Sequence, residues 1–559
     1  MIEPANAGET PLTESATPLP PVVQRDEGII RAAAVLAIGN VTSRVLGLVR
    51  EIVKANLFGA SDLLGAFTVA ALVPMTLFNL ITGGEMVSSS LVPVFSDYAG
   101  KERRQELWGV ISTFLSVATV VLLAIVLLVE LFTGQVAWLA GARNFDDASL
   151  VPITIALMRL ATPAVLFLSI ASILTGVLYA LKRFTLPAFT AAVFNGTIVV
   201  VALARPDHID SLAWGLLLGS ILQIVLQLPA LRDGRFRWNL NWRHPAVRRI
   251  LFLYTPIVAG LLVNQAAIWI SYNLAITTGD NSVTFMTYAT TLYQFPLGLV
   301  VTALSIATLP TLSQMATAYR AAAGADDSQA AERVKAFKET LAGGLRLVIA
   351  LTLPAAAGLF ALAVPIIALL LERGQFTGQD TIVTAQVLRV YLFGLPFAAV
   401  DQMLVFASYA RKDTWRPALA GIISIVIYTA VAVLLLPVLD LLSLMVADSI
   451  KHFVHTLIML WFLRRHLGGL AGYRLTGTSI KSLAAALITG VVAYWAASLA
   501  EPLTPVSFPG KVTLVLAGGT AGLLAYGAMA LLLDIPEARS LPRMLAGRLG
   551  RKSRVNSKR

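Results

Sequence analysis

Ala33-Ala-Val-Leu-Ala-Ile-Gly-Asn-Val-Thr-Ser-Arg-Val-Leu-Gly-Leu-Val-Arg-Glu-Ile-Val-Lys-Ala-Asn-Leu-Phe58 is long enough to cross a bilayer as a helix, yet it carries Arg44, Arg50, Glu51 and Lys54. A charge at the centre of a spanning helix costs about 3 kcal/mol unless it faces a wet cavity or a partner. A spanning helix with a cationic cluster therefore points to a membrane protein that handles something anionic.

The whole chain fits that class. Its 559 residues are 57% hydrophobic and only 13% charged, with a mean hydropathy of +0.77. Soluble proteins carry about 25% charged residues, so the deficit marks a polytopic membrane protein. The net charge of +12 is then a matter of loop topology and not of nucleic-acid binding. With no cysteine, disulfides and thiol chemistry are excluded. Residues 1–30, with Pro11, Pro18, Pro20 and Pro21, read as a disordered cytoplasmic tail. Residues 535–559 carry eight basic groups and read as a basic cytoplasmic tail, either solvated or in contact with an anionic leaflet.

The fold expected is all-α and polytopic, with about fourteen transmembrane helices. They are placed at 31–57, 64–84, 107–133, 153–180, 186–204, 210–230, 248–277, 284–310, 342–371, 384–409, 417–437, 441–463, 479–499 and 512–533. The loops sort by charge. One side holds clusters such as Lys101, Arg103 and Arg104, then Lys182 and Arg183, then Arg232 to Arg249 and Arg411 to Arg416. The other side holds only Arg143, Arg205, Arg373 and Lys511. The positive-inside rule puts the first side, and both termini, in the cytoplasm.

An internal repeat is visible. Tyr179-Ala-Leu-Lys-Arg-Phe-Thr-Leu-Pro-Ala-Phe189 aligns without gaps to Tyr409-Ala-Arg-Lys-Asp-Thr-Trp-Arg-Pro-Ala-Leu419, and Val92-Pro-Val-Phe-Ser96 matches Leu309-Pro-Thr-Leu-Ser313. Two parallel-related six-helix lobes, 31–232 and 244–465, are expected, with two extra C-terminal helices at 478–534. Such paired repeats build transporters that rock around a central site.

The order of motifs resembles the MurJ/MviN lipid II flippases. Ser43-Arg-Val-Leu-Gly-Leu-Val-Arg-Glu51, Leu57-Phe-Gly-Ala60 and Leu91-Val-Pro-Val-Phe-Ser-Asp-Tyr98 resemble the start of that family. Arg183-Phe-Thr-Leu-Pro-Ala-Phe189 with Asn195, and Tyr288-Ala289 with Leu292-Tyr-Gln-Phe-Pro-Leu-Gly-Leu299, resemble later parts of it. The resemblance covers roughly residues 30–465. It implies the fold of the multidrug/oligosaccharidyl-lipid/polysaccharide (MOP) exporters, with a cationic cavity opening to alternate sides. It also implies lipid II as cargo and a lipid-tail groove formed by the last two helices. The family's two first-helix arginines fall on Arg44 and Arg50, and a family Glu before the Val-Pro motif corresponds, offset by one residue, to Glu85. The chain departs from the pattern at Thr290-Thr291, Phe78-Asn79 and Gly65, where the family carries charged residues. A rewired flippase, a carrier of another cargo and a relative without transport are the readings this leaves.

Flipping such a headgroup needs no covalent chemistry, only a polar path across hydrocarbon. Arginine suits a diphosphate because its planar fork donates two parallel hydrogen bonds. The expected headgroup site is Ser43, Arg44, Arg50, Glu51, Glu85, Asn264 and Gln265. Arg44 and Arg50 lie about 120° apart on the helix, on different sides of one cavity wall. Glu51 is read as the local counter-charge of Arg44 and Arg50, and Lys54 as a snorkelling anchor. Asp401, Asp448, Lys451 and His452 are candidates for ion coupling, with structural pairing as the alternative.

No catalytic set, metal-ligand cluster or ATP-binding loop is present in the sequence. The protein reads as a transporter with no cofactor, driven by a coupling cation, the membrane potential or consumption of the flipped lipid. Its expected place is the bacterial inner membrane, as a monomer among membrane lipids, with the cell-wall synthesis machinery as a candidate partner. An exporter of another polyprenyl-linked glycan and a cation-coupled antiporter are the competing functions; an antiporter calls for acids, not arginines, in the cavity.

Overall fold

A computed structural model describes residues 27–100, 102–301, 308, 311–316 and 327–538, and these are helical with no strand among them. The bulk of both expected tails, Arg320, and Leu309 and Pro310 of the second repeat motif lie outside the described residues. In hydrocarbon every backbone N–H and C=O must be satisfied internally, so the apolar segments have no alternative to helix.

The first half forms α1 (Glu27–Phe58), α2 (Asp62–Ile81), α3 (Arg104–Leu131), α4 (Leu150–Ala180), α5 (Thr190–Ala204) and α6 (Asp210–Gln227). The second half forms α7 (Pro245–Ile276), α8 (Ser282–Pro296), α9 (Asp327–Ala361), α10, α11 (Trp415–Leu439) and α12 (Leu442–Leu467). Here α10 is a pair, Gly378–Leu392 and Leu395–Ala410, bent by 47° at its break. Finally come α13 (Leu475–Ala500) and α14 (Phe508–Leu532).

Among the described residues, 11 helices are long and apolar enough to span a membrane, or 12 with the bent pair. The expected fourteen exceeds this by two. In α1 the charges Arg44, Arg50 and Glu51 crowd the apolar window, and residues 302–307, within the expected eighth span, lie outside the described residues.

Helix packing repeats itself. In the first half α1 packs on α5, α2 on α4, α3 on α4, α4 on α6 and α5 on α6; in the second half α7 packs on α11, α8 on α10, α9 on α10, α10 on α12 and α11 on α12. The repeat extends to the backbone. Lys182 and Lys412, aligned in the sequence match, both hold φ of 58°, a left-handed conformation few non-glycine residues adopt. Each closes a helix by the same two bonds: Arg183 N to Leu178 O with Lys182 N to Tyr179 O, and Asp413 N to Ser408 O with Lys412 N to Tyr409 O. This is the Schellman pattern.

The two halves interlock on the arginine-poor face. Gln375 N donates to Asn56 O at 3.0 Å, Tyr288 Oη donates to Gly59 O at 3.2 Å, and the Asp280 carboxylate accepts Asp146 N and Asp147 N at 2.8 and 3.0 Å. Gly65 belongs to this seal: a Cβ there would lie 2.3 Å from Asp280 O. The family's acidic residue therefore has no room at this position in this packing.

Both tails are shorter than the sequence reading made them. α1 already begins at Glu27. At the other end Ile535 is buried, and Glu537 accepts from Arg346 Nε at 2.6 Å, so the first residues past α14 dock on α9.

Candidate functional site

α1 reaches the centre of the first bundle along a seam of small residues. Gly39, Ser43 and Gly47 recur every four positions, which lets two helix backbones approach closely. A Cβ on Gly39 would lie 2.2 Å from Ala188 O, and Gly47 faces the Asn195 side chain. Asn195 on α5 donates Nδ2 to Ser43 O at 3.3 Å and accepts Arg50 Nη1 at Oδ1, 2.9 Å. What Ser43 contributes to this contact is its main chain.

Arg50, Glu51 and Lys54 form one ionic unit. Glu51 is 3% exposed; its Oε1 accepts Arg50 Nε and Nη2 at 2.9 and 2.7 Å, and its Oε2 accepts Lys54 Nζ at 2.8 Å. Two expectations are corrected here. Glu51 pairs with Arg50 as expected, but its second partner is Lys54 and not Arg44. Lys54 does not snorkel to the membrane surface: it is 7% exposed, with its ammonium 6.0 Å from the Phe67 ring centroid. It bonds at i,i+3 across the helix face, where the interior offers it an acid.

Arg50 and Lys54 open onto a cavity of about 310 Å³ whose polar lining also includes Thr68, Thr76, Asn79, Gln265 and Tyr272. Gln265 accepts Thr76 Oγ1 at 3.3 Å, and Thr76 accepts Trp269 Nε1 at 2.9 Å, so α2 and α7 close one wall across the two halves. The cavity thus carries fixed cations and neutral donors inside the bilayer, suited to a polar anionic group.

The other expected headgroup residues are not gathered here. Arg44 is exposed, and its guanidinium lies over Gly298 beyond α8, where a Cβ would meet Nη1 at 2.2 Å; it spans the two halves instead of lining the cavity. Glu85 is exposed on the short helix Gly84–Met86, and Asn264 is exposed one position off the cavity-facing Gln265. Lys54, Asn79, Asn195 and Tyr272 complete the site; the sequence signals Asn195 through the family-like motif and Tyr272 as a polar residue seven positions on from Gln265, on the same helix face.

A second ionic group sits inside the second bundle. Lys451 pairs with Asp448, His452 Nε2 lies 3.6 Å from Asp448 Oδ2, and His455 Nδ1 bonds Asp401 on α10 at 2.5 Å. Lys451 also lies 5.6 Å from the Tyr428 ring, whose hydroxyl bonds Ser271 Oγ of α7 at 2.6 Å. Asp401 therefore answers to His455, a partner that spacing along α12 alone does not reveal. Among the described residues no group of three His, Cys, Asp or Glu side chains is placed to hold a metal.

Between α9, α10 and α13 runs an apolar groove of about 850 Å³, lined by Leu353, Phe360, Phe393, Phe397, Leu487 and Trp495 among others, with Arg389 on its wall. Arg389 donates Nε to Phe360 O at 3.1 Å and so is tied down beside it.

Two matching helical bundles meeting at a polar intramembrane cavity give a fold shared with solved membrane transporters. The solved lipid II flippase MurJ in an inward closed conformation superposes with a TM-score of 0.73 at 23% identity, covering 89% of this chain and 99% of its own. An inward-facing multidrug transporter of the MATE family gives 0.59 at 14% identity, covering 80% of this chain and 99% of its own. The family described as lipid II flippase MurJ matches residues 54–513, and the chain belongs to it. The probable lipid II flippase MurJ of Bdellovibrio bacteriovorus is 28% identical over 457 residues, 79% of this chain and 83% of its own. That of Vibrio cholerae is 27% identical over 527 residues, 91% of this chain and 96% of its own. The lipid II flippase MurJ of Burkholderia cenocepacia is 29% identical over 402 residues, 70% of this chain and 75% of its own. As a polytopic member of a bacterial family, the protein resides in the inner membrane.

Proposed function

We propose that this protein flips lipid II, the undecaprenyl-diphosphate-linked peptidoglycan precursor, from the cytoplasmic to the outer leaflet by alternating access. The observation that carries the reading is the Arg50–Glu51–Lys54 unit opening onto a polar cavity within the membrane, in a chain of this family. Guanidinium and ammonium groups replace the water a diphosphate loses. The groove of about 850 Å³ suits the polyprenyl chain, which need not leave hydrocarbon while the headgroup crosses. The arginine-rich face is cytoplasmic, with both termini on that side. The interlocked arginine-poor face is then the outer gate, and the lobes 31–232 and 244–465 rock against each other to open it. The Asp401–His455 and Asp448–Lys451–His452 groups are the candidates for coupling to a cation or to the membrane potential. The protein acts as a monomer, with the cell-wall synthesis machinery as its neighbour.

The test is complementation of a bacterium depleted of its own lipid II flippase. The unmutated chain restores growth; Arg50→Ala and Arg44→Ala, inserted at equal level, do not. A membrane-inserted wild type that fails to restore growth overturns the cargo assignment, and rescue by both mutants overturns the site. Neutral Asn79, Thr290 and Thr291, at positions charged in the family pattern, favour one second reading: a flippase for another polyprenyl-linked glycan. That reading predicts failed complementation with retained binding of a polyprenyl diphosphate.

A further inference from the structure

The segment joining α6 to α7 plays no part in the transport reading. Residues 232–249 hold six arginines, Arg232, Arg235, Arg237, Arg243, Arg248 and Arg249, against one acid, Asp233. Between them Phe236, Trp238, Leu240 and Trp242 occupy every second position. An extended chain puts such residues on one side, and the segment is non-helical up to Pro245.

This strap is pinned to α3 through its backbone. Arg237 N donates to Ser112 Oγ and Asn239 N to Ser116 Oγ, each at 3.1 Å, and Asn239 Nδ2 donates to Thr113 Oγ1 at 2.9 Å. At its start Asp233 accepts Arg183 at 2.7 Å, and Gly234 lies against the Trp108 ring. The buried hydroxyls of α3 thus hold the main chain, while Phe236, Trp238, Leu240 and Trp242 remain 52%, 57%, 49% and 65% exposed.

The depth of the strap follows from α3. Its exposed apolar side chains run from Val120 to Phe132. A hydrocarbon core of about 30 Å takes about 20 helical residues, and counting back from Phe132 puts its near edge at about Ser112. The strap therefore lies where acyl chains meet headgroups, the layer that tryptophan prefers. Arg243 stacks on Trp242 at 5.1 Å, and Arg249 is tied to Asp97 at 2.7 Å. Among the described residues Arg235, Arg237, Arg243 and Arg248 have no carboxylate partner and are exposed, so their guanidiniums are accessible to an anion at the headgroup level.

We propose that the strap 232–249 is a binding site for an anionic phospholipid of the adjoining leaflet. The arginines take its phosphate, and the aromatic row sits among its acyl chains. Because α7 begins at Pro245 and lines the cavity through Gln265, the bound lipid anchors the end of a helix that contacts both halves of the molecule.

Binding of labelled phosphatidylglycerol and phosphatidylcholine to the full-length protein in detergent tests this. Phosphatidylglycerol is expected to bind saturably and more tightly, with affinity falling as salt rises. Arg235→Gln/Arg237→Gln/Arg243→Gln is expected to weaken it roughly a hundredfold, at about fivefold per arginine. The matching Arg→Lys triple variant keeps the charge and is expected to stay within about tenfold of wild type, which separates lost binding from lost folding. Trp238→Ser/Trp242→Ser is expected to weaken the lipid as well. Equal binding of the two lipids, an unaffected Gln variant, or an unaffected Trp variant overturns the proposal. Glycerol phosphate displacing the lipid as well as short-chain phosphatidylglycerol does would also overturn it, by reducing the strap to a simple anion site.

Discussion

Glu51→Gln removes one negative charge from between two cations while hardly changing the shape of the side chain. Two ion pairs with charge centres about 4 Å apart, at an effective dielectric of about 20, are worth about 8 kcal/mol gross. Most of that is offset by the desolvation of three ions, and breaking such a buried pair costs about 3–5 kcal/mol net. Arg50 is one-third solvated, with 32% of its side chain exposed, so water takes over part of the lost pairing. The loss is therefore expected at the low end, about 3 kcal/mol. The assay is unfolding of the purified protein in mixed micelles, followed by tryptophan fluorescence. A double-mutant cycle isolates the cause: Lys54→Met in the Glu51→Gln background removes the stranded ammonium and restores about 2 kcal/mol. Pyrophosphate is expected to protect Glu51→Gln more than wild type, because both cations are then without a counter-ion. A Glu51→Gln protein as stable as wild type, or strictly additive costs in the cycle, would refute the reasoning.

Three further outcomes are expected. The chain has no native cysteine, so Asn56→Cys/Gln375→Cys reports the interlocked face alone; a short bifunctional cross-linker should join the pair and abolish complementation, and unhindered growth after quantitative cross-linking would show that this face need not open. Lys182→Gly and Lys412→Gly relieve left-handed φ of 58° and should each stabilise by about 1 kcal/mol, measured by the same unfolding assay. The hydrogen bond from Arg183 holds the Asp233 carboxyl below its usual range. Its folded pKa is thus depressed, so its stabilising effect is present above the unfolded value of about 3.9 and fades as pH falls through the folded one. Amide exchange in the strap should accelerate in that acid window in wild type and be fast at all pH in Asp233→Asn.

The helices and their repeat were legible because hydrocarbon leaves the backbone one solution, and because the Tyr-Ala-x-Lys match falls on two caps with the same bonds. The ionic partners were not. Spacing along α1 pairs Arg44 with Glu51, one heptad on, but the interior rewards the shortest desolvated contacts, and Arg50 and Lys54 reach Glu51 first. Likewise His455 meets Asp401 only because α10 and α12 pack together. These contacts also bear on the neutral positions at Asn79, Thr290 and Thr291. Two cations against one carboxylate leave the cavity with a single net positive charge, too little on its own for a diphosphate. Arg44 stands outside the cavity, over Gly298 in the other half, with no carboxylate partner among the described residues. If the proposed rocking draws α1 away from Gly298, that guanidinium is released toward the headgroup, and the second charge arrives with the movement. A Gly298→Ala variant, whose Cβ would displace Arg44 at 2.2 Å, should then retain the fold and change the anion affinity of the cavity. Unchanged pyrophosphate protection in that variant would confine the site to Arg50 and Lys54.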